Sequence, residues 1–431
     1  MFSGSRPAWA VIPLAGGQLE IGRENLREHI QDPSLSRRHA RISFLGGRFL
    51  VEDLGSSNGS WIDGRPLESG RPQTGEHIVR TGDSLWVLCP DITLYSNTQL
   101  TVQEDRVTGP LLKRAFQSIT RLGRYSDVLH IVGESGSGKE AAARAFHAAS
   151  PCSQGPFIAI NCAAIPDGVA ERLLFGAKRG AFSGAVADAQ GYIQAADKGT
   201  LFLDEVADLD TAVQAKLLRV FETKEVLALG ASTARAVDVR VCSATHKDLR
   251  AQVQQERLRE DLYYRIGRPA VRIPPLRERL EEIPWLIDVE LRLTRPLIQA
   301  DTAFVAACML RAWPGNVREL RKEVRIAAQD ALASGVEQIT ESHLSPTAGI
   351  ALEDPAPPSD SLVSPPAPVD SATALRREAI EEALRSNNGN LSRSAQRLGL
   401  HRTQLRRLIN QLGISLSRFP PKRGRPRSAR K

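Results

Sequence analysis

Residues 128–147 read VLHIVGESGSGKEAAARAFH. A mostly apolar run of five is followed by a Gly-rich loop and then by an Ala-rich stretch of helix formers, so strand, loop and helix stand in order. Gly133, Gly136 and Gly138 let the loop's N–H groups converge on phosphate oxygens, and the helix N-terminus adds its dipole. Lys139 reaches toward the β- and γ-phosphates, with Glu134, Ser135, Ser137 and Glu140 completing the nucleotide-facing run. An incidental Gly-rich turn is the bland alternative, and the flanking strand and helix weigh against it. Glu140 stands where Ser or Thr would ligate magnesium, so the metal must lean on phosphates, water and another carboxylate.

Outward from this loop, PFIAI (156–160), TLFLD (200–204) and VRVCSAT (239–245) read as further buried parallel strands, with helical stretches such as 211–223 between them. That alternation predicts an α/β domain over about 108–345, with a helical lid from about 280. At the end of the second run, Asp204 is suited to Mg²⁺ and Glu205 to orienting an attacking water, because ligands sit at the carboxyl end of strands in open α/β sheets. Alone, the acidic pair would equally cap the next helix.

The first hundred residues have a different texture. Ala40, Ile42 and Phe44 alternate with polar neighbours, as do Phe49 and Val51, and turn signals recur at Gly46-Gly47, Asn58-Gly59, Asp63-Gly64 and Gly82-Asp83. Short strands between tight turns predict a β-sandwich over 1–100. Residues 346–371 are a Pro-rich linker, seven prolines falling within 346–370 without a Lys, Arg or aromatic residue. Over 372–417, REAIEEAL, NLSRSAQRLG and HRTQLRRLINQLG predict an all-α helix-turn-helix. His401, Arg402, Gln404, Arg406 and Arg407 would face the major groove of double-stranded DNA or its phosphates, a helical dimerisation hairpin being the alternative.

Charge placement agrees. From Arg418 to Lys431 there are seven Lys/Arg and no acid, and over 373–417 eight Arg oppose three Glu, although the whole chain is only +8. One basic end on an otherwise mildly acidic chain suggests contact with nucleic acid. Arg423-Gly424-Arg425-Pro426 matches the AT-hook core, in which arginines enter a narrow A·T minor groove; a non-specific basic tail over 418–431 is the equal alternative. No apolar run reaches the ~18 residues of a membrane span, and the N-terminus lacks a basic start before an apolar stretch, so a cytoplasmic protein without membrane contact is expected. The five cysteines are scattered without a CxxC pair and read as buried free thiols.

Three resemblances follow from these motifs. GESGSGKE, GTLFLDE, LREDLYYR and WPGNVREL, in that order over about 108–345, resemble the AAA+ domain of sigma-54-dependent activators. The resemblance implies an ATPase that uses ATP and Mg²⁺, assembles as a homo-oligomeric ring (a hexamer) and remodels sigma-54 RNA polymerase for open-complex formation. It implies that Gly180-Ala181-Phe182-Ser183-Gly184-Ala185 contacts the sigma factor, with Ser183 in place of the family's Thr. It implies that Asn161 senses nucleotide state and restrains Glu205, that Thr245 ends the sensor I strand with His246, and that Arg318 is the sensor II arginine. Arg259 and Arg265 would act across the subunit interface; without the resemblance they read as a salt-bridged helix face. Lys198 stands at the first Gly of the usual GGTLF.

The helix-turn-helix resembles the Fis-type domain of the same activators. Residues 10–95 resemble a forkhead-associated (FHA) domain through Gly22-Arg23, Ser36-Arg37-Arg38-His39 and Gly55-Ser56-Ser57-Asn58-Gly59. That implies binding of a phosphothreonine protein, a Ser/Thr kinase or its substrate: Arg23 and Ser36 take the phosphate, Arg37 and Ser57 assist, Asn58 fixes the ligand backbone and His39 braces the loops. A sandwich that has lost its ligand is the alternative. For the whole chain, a DNA-binding repressor with a vestigial ATPase and a general remodelling ATPase are rival readings. No receiver-type domain is evident.

Overall fold

In the computed structural model, residues 2–351 are described except 4–5, 27–28, 30–31, 69–70, 167, 183–184 and 296, together with Ala383, Leu384, Asn387, Ser394 and Ala395. Residues 352–371 of the expected Pro-rich linker, the DNA-facing residues His401, Arg402, Gln404, Arg406 and Arg407, the tail residues Arg423 and Arg425, and loop residues Ser183 and Gly184 lie outside the described residues. Residues 346–351 belong to the preceding domain, which corrects the expected start of the linker: Ala348 is buried in the lid's apolar cluster and the Gly349 carbonyl accepts from the Trp313 N–H at 3.0 Å. Residues 1–352 form one compact unit.

The N-terminal part is all β. One sheet pairs 18–21, 40–45 and 48–53, antiparallel, with Ile42 opposite Val51. The other orders strands 6–7, 2–3, 84–88, 77–81, 60–62 and 65–66. Alternate residues turn inward from both, so Ile21, Ile42, Phe49, Val51, Val79 and Trp86 form one sandwich core.

The α/β part has a five-stranded parallel sheet. Its strands are β1 (Val128–Val132), β2 (Phe157–Asn161), β3 (Gly199–Asp204), β4 (Val239–Thr245) and β5 (Ala270–Arg272). They lie in the order β2-β3-β4-β1-β5. The register sets Asn161 opposite Asp204, Asp204 opposite Ala244 and Val132 opposite Thr245. The carboxyl ends of β1 to β4 therefore meet along one edge, where ligands of such sheets sit. Helices α1 (Pro110–Gly123), α2 (Lys139–Ala148), α3 (Thr211–Thr223) and α4 (Glu260–Ile266) accompany the sheet. Pro110 opens α1 at its first turn, where a missing N–H costs nothing, and the Asp210 carboxylate accepts from the Val213 N–H at 2.9 Å to cap α3. Leu112, Ala115 and Ile119 of α1 pack with Leu129, Ile131 and Phe146 in one apolar cluster.

The lid consists of α5 (Ile283–Thr294), α6 (Thr302–Met309) and α7 (Asn316–Ala333) around the fully buried Trp313, whose indole N–H reaches the Cys308 carbonyl at 2.6 Å. Strand β4 and helix α3 occupy the residues their sequence pattern predicts. Cys162, Cys242 and Cys308 are buried free thiols, but Cys89 and Cys152 are only partly buried, which corrects the expectation for those two. Lys198 takes the left-handed conformation, φ 60°, at the position where the resembled family has Gly. Glycine adopts that conformation without a Cβ penalty, so the lysine holds a locally strained turn.

Candidate nucleotide and phosphopeptide sites

The Gly-rich loop leaves β1 and enters α2, and its shape depends on two glycines. Gly136 and Gly138 have φ of 71° and 112°. A Cβ on Gly136 would lie 2.2 Å from the Gly315 carbonyl oxygen, so only glycine lets the loop approach the WPGN turn before α7. The loop faces a cavity of about 710 Å³ lined by Ser135 to Glu140, Asn161, Asp204, Glu205 and Arg318, and also by Asp105, Arg279 and Arg321. A volume of this size holds a nucleotide.

Within it the charges are arranged in a chain. Lys139 is 6 % exposed; its ammonium donates to the Gly133 carbonyl at 3.1 Å and to Glu205 Oε1 at 3.0 Å. Glu205 Oε2 accepts from the Thr245 hydroxyl at 2.9 Å and from the His246 backbone N–H at 3.3 Å, and it meets His246 Nδ1 at 2.8 Å. Burial pushes the Glu205 carboxyl up, but the hydrogen bonds from Lys139 and Thr245 outweigh it and hold the group below its ordinary value. Glu205 sits at φ 53°, a conformation that costs a non-glycine residue and is common where a site constrains its backbone. Asp204 differs. Burial raises its carboxyl against the opposing pull of Lys139, and Oδ1 is buried without a hydrogen-bond partner. That oxygen has the Lys139 ammonium 3.9 Å away but no hydrogen bond, a deficit that a divalent cation would satisfy, so the residues present fit magnesium.

Asn161 lines the cavity beside Glu205 without a hydrogen bond to it. Its side-chain oxygen accepts from the Ala163 N–H at 3.0 Å and caps the 162–164 turn, while Glu205 is held by Lys139, Thr245 and His246. A short amide following a strand satisfies its own turn first. Glu140, at the cavity wall, forms an ion pair with Arg144 at 2.7 Å. Arg318 lies 3.4 Å from Ser135 Oγ, at the loop. Arg259 pairs with Asp261 at 2.8 Å and Arg265 donates to the Phe221 carbonyl at 2.7 Å; neither lines the cavity.

Sequence reasoning passed over a second polar layer. Asn316, fully buried at φ 51°, donates to Glu134 and to the Ser135 carbonyl at 3.0 and 3.1 Å and accepts from the Leu276 N–H at 2.7 Å. Arg277 grips Glu134 with two bonds of 2.6 and 2.8 Å. Arg279, buried beside Glu282, donates to the Ser137 carbonyl at 3.3 Å. The arginine-rich segment after the last strand carried the only signal for Arg277 and Arg279.

The segment 180–185 belongs to the same domain. Gly180 has φ 79°, its N–H meets the Ala185 carbonyl at 2.9 Å, and Phe182 is 38 % exposed with the Arg172 guanidinium 5.6 Å above its ring.

In the sandwich, the loops bring Arg23, Ser36, Arg37, Ser57 and Asn58 to one end. The Arg23 N–H meets the Ser36 carbonyl at 3.0 Å, the Ser57 N–H donates to Ser36 Oγ at 3.1 Å, and the Asn58 amide donates to the Ser34 carbonyl at 2.7 Å. A Cβ on Gly22 would lie 2.2 Å from the Arg37 carbonyl oxygen, which explains a glycine before Arg23. His39 is buried, accepts the Ser36 N–H at Nδ1 and donates from Nε2 to the Gly59 carbonyl at 2.9 Å, bracing two loops as expected. Arg23 and Arg37 are exposed, with no side-chain partner among the described residues.

A Gly-rich phosphate loop on a parallel sheet, an acidic pair at the end of the strand one removed from it and a lid arginine define an AAA+ ATPase. Family models agree over each region: the Sigma-54 interaction domain matches 107–272, the FHA domain 19–86, and the Fis family of bacterial regulatory proteins 375–415. The response regulator protein PilR of Pseudomonas aeruginosa is 40 % identical over 324 residues, 72 % of this chain and 70 % of that protein. The Nif-specific regulatory protein of Azotobacter vinelandii is 38 % identical over 73 % of this chain and 60 % of its own length. Crystal structures of NtrX from Brucella abortus align with a TM-score of 0.55 at 28 % identity over 72 % of this chain and 70 % of NtrX; NtrX has also been solved with ADP and with ATP. The chain belongs to the sigma-54-dependent transcriptional activators and carries FHA and Fis-type domains with its ATPase. It spans 60 to 70 % of the length of those two curated relatives, and no helix among the described residues is long and apolar enough to cross a membrane.

Proposed function

We propose that this activator binds DNA upstream of promoters through 372–417, hydrolyses ATP in a homo-oligomeric ring, and uses that energy to remodel sigma-54 RNA polymerase. A phosphothreonine protein would regulate it through the N-terminal domain. The observation that carries the reading is the arrangement around Glu205. Lys139 and Asp204 stand together with it at the carboxyl end of the sheet, and Asp204 Oδ1, 3.9 Å from the Lys139 ammonium, accepts no hydrogen bond.

In this reading Lys139 holds the β- and γ-phosphates, Asp204 holds magnesium, and Glu205 orients the attacking water once the phosphate has drawn Lys139 away from it. Magnesium would neutralise phosphate charge. Arg318 reaches the phosphates from the lid, and Arg259 and Arg265, standing outside the cavity, would serve a neighbouring subunit's nucleotide. Arg23 and Ser36 would take the phosphothreonine phosphate, with Arg37, Ser57 and Asn58 around it. His401, Arg402, Gln404, Arg406 and Arg407 would contact DNA, and Arg423 and Arg425 its minor groove or phosphates.

Residues 180–185 carry no ATP chemistry, and the exposed aromatic Phe182 is the kind of anchor that grips a partner. Phe182→Ala is expected to leave ATP turnover and DNA binding within about twofold of the parent. It should abolish both sigma-54 capture with a transition-state nucleotide analogue and open-complex formation. Sigma-54-dependent transcription that survives Phe182→Ala would overturn the activator reading.

A further inference from the structure

The FHA domain rests on both halves of the ATPase. Toward the lid, Phe2, Ile78 and Leu85 of the sandwich are buried in the same apolar cluster as residues of α5, α6 and α7. The Thr302 hydroxyl, at the first residue of α6, donates to the Asp83 carbonyl of a sandwich turn at 3.1 Å. Toward the ATPase core, the short helix 93–96 that follows the sandwich packs against α1. The hairpin of strands 101–103 and 106–108 then joins the two domains, and its Asp105 lines the nucleotide cavity and pairs with Arg321 of the lid at 3.2 Å. A domain seated on core and lid together resists their relative motion, and Arg318 reaches the phosphate loop only from the lid.

The docked edge is also continuous with the phosphopeptide loops. Asn58 donates to the Ser34 carbonyl, the Ser34 hydroxyl donates to the Asp83 carboxylate at 2.5 Å, and the next carbonyl along, that of Asp83, holds Thr302. The buried Asp32 fixes the same turn by accepting from Ser34 N and Asp83 N at 2.8 and 2.9 Å. A ligand that draws on Asn58 and Ser36 therefore pulls on the segment that latches the lid.

We propose that the FHA domain is an intramolecular clamp on the ATPase lid, latched at Asp83–Thr302 and released when a phosphothreonine ligand engages Ser36 and Asn58. The release arm rests on the phosphothreonine reading; the clamp itself does not. Binding energy for the ligand is spent on the undocked arrangement, so occupancy and turnover rise together.

The test uses the full chain and ATP turnover. Thr302→Val keeps the shape of a buried side chain and removes the latch donor; Ser34→Ala cuts the link one step earlier. Both variants should raise basal turnover at least threefold, with hydrogen exchange in α6 accelerated. Basal turnover and α6 exchange equal to the parent's in both variants overturn the clamp. In parallel, the tightest-binding peptide from a degenerate phosphothreonine library, and its unphosphorylated twin, are titrated by fluorescence anisotropy. Once bound, the phosphopeptide should raise parent turnover at least threefold, and Thr302→Val turnover by less than half that factor. A peptide that binds the parent and leaves turnover unchanged or lowers it overturns the release arm. A library without any binder instead sinks the phosphothreonine reading, and the two latch variants still decide the clamp.

Discussion

The two anion sites of this molecule are prepared in opposite ways. At the ATP site the central cation and the catalytic carboxylate are already engaged: Lys139 is nearly buried and spent on Glu205, which is also gripped by Thr245 and His246. At the FHA site Arg23 and Arg37 stand in solvent, and the neutral groups Ser36, Ser57 and Asn58 hold the loops through one another. A buried cation must be paired or it neutralises; an exposed one is kept charged by water. On the proposed reading the nucleotide displaces an internal partner and so frees the group that orients water, whereas a phosphopeptide would displace only solvent at the other site.

The largest effects should come from breaking the internally balanced site. Glu205→Gln removes the water-orienting carboxylate and leaves Lys139 without its anion, so ATP should bind while turnover falls by about 10²–10⁴. Lys139→Ala should instead weaken ATP binding itself. A filter assay for nucleotide set beside phosphate release separates the two. If both variants keep parental turnover, the site is wrongly assigned.

Next in size is the open site. Arg23→Ala leaves the loops intact, because its side chain braces nothing among the described residues, and it deletes one charge-assisted partner of the phosphate. A loss of about 1.5–3 kcal/mol, roughly 10- to 150-fold in affinity for a phosphothreonine peptide, is expected. Melting temperature should hold within about a degree or two. A variant that binds peptide as well as the parent would mean that the phosphate sits elsewhere.

The contrast also marks what was legible in the sequence. Strand β4 and helix α3 stand where their patterns put them, since period and run length are local properties. The phosphate loop, the acidic pair and the FHA loops were legible because backbone geometry demands particular residue types there, as Gly22 and Gly136 illustrate. What holds Glu205 was not. His246 was visible as a neighbour of Thr245, yet its bond to Glu205 depends on the lateral pairing of β3 with β4, which no linear spacing encodes. The Asn316 side chain, the bond from Arg279 to the Ser137 carbonyl and the seating of the sandwich on the lid are likewise contacts between segments more than a hundred residues apart. Asn161 is assigned by resemblance to a restraint on Glu205; its side-chain oxygen accepts from the turn that follows it.

The acid response of the ATPase sheet sharpens the same comparison. His130 lies in the middle of β1, buried, with Nδ1 2.9 Å from Ser243 Oγ. Ser243 Oγ itself donates to the Ile266 carbonyl at 3.2 Å, so the imidazole donates at Nδ1 and is neutral. Burial pulls its pKa from 6.5 down to about 4. In the unfolded chain the same group takes up a proton near pH 6.5. The unfolded state therefore binds more protons through this window, and stability rises with pH: it is full above about 6.5 and falls as the pH drops toward 4. The loss attributable to His130 is on the order of 3 kcal/mol once both states are protonated. It should appear first as faster hydrogen exchange in β1 and its neighbours β4 and β5, the strands on either side of the phosphate loop's origin. His130→Asn offers an amide donor to Ser243 without a titrating proton. It should cost stability at pH 7.5 and flatten the profile between pH 6.5 and 4. An unchanged acid slope in that variant would move the origin of acid sensitivity away from the ATPase sheet.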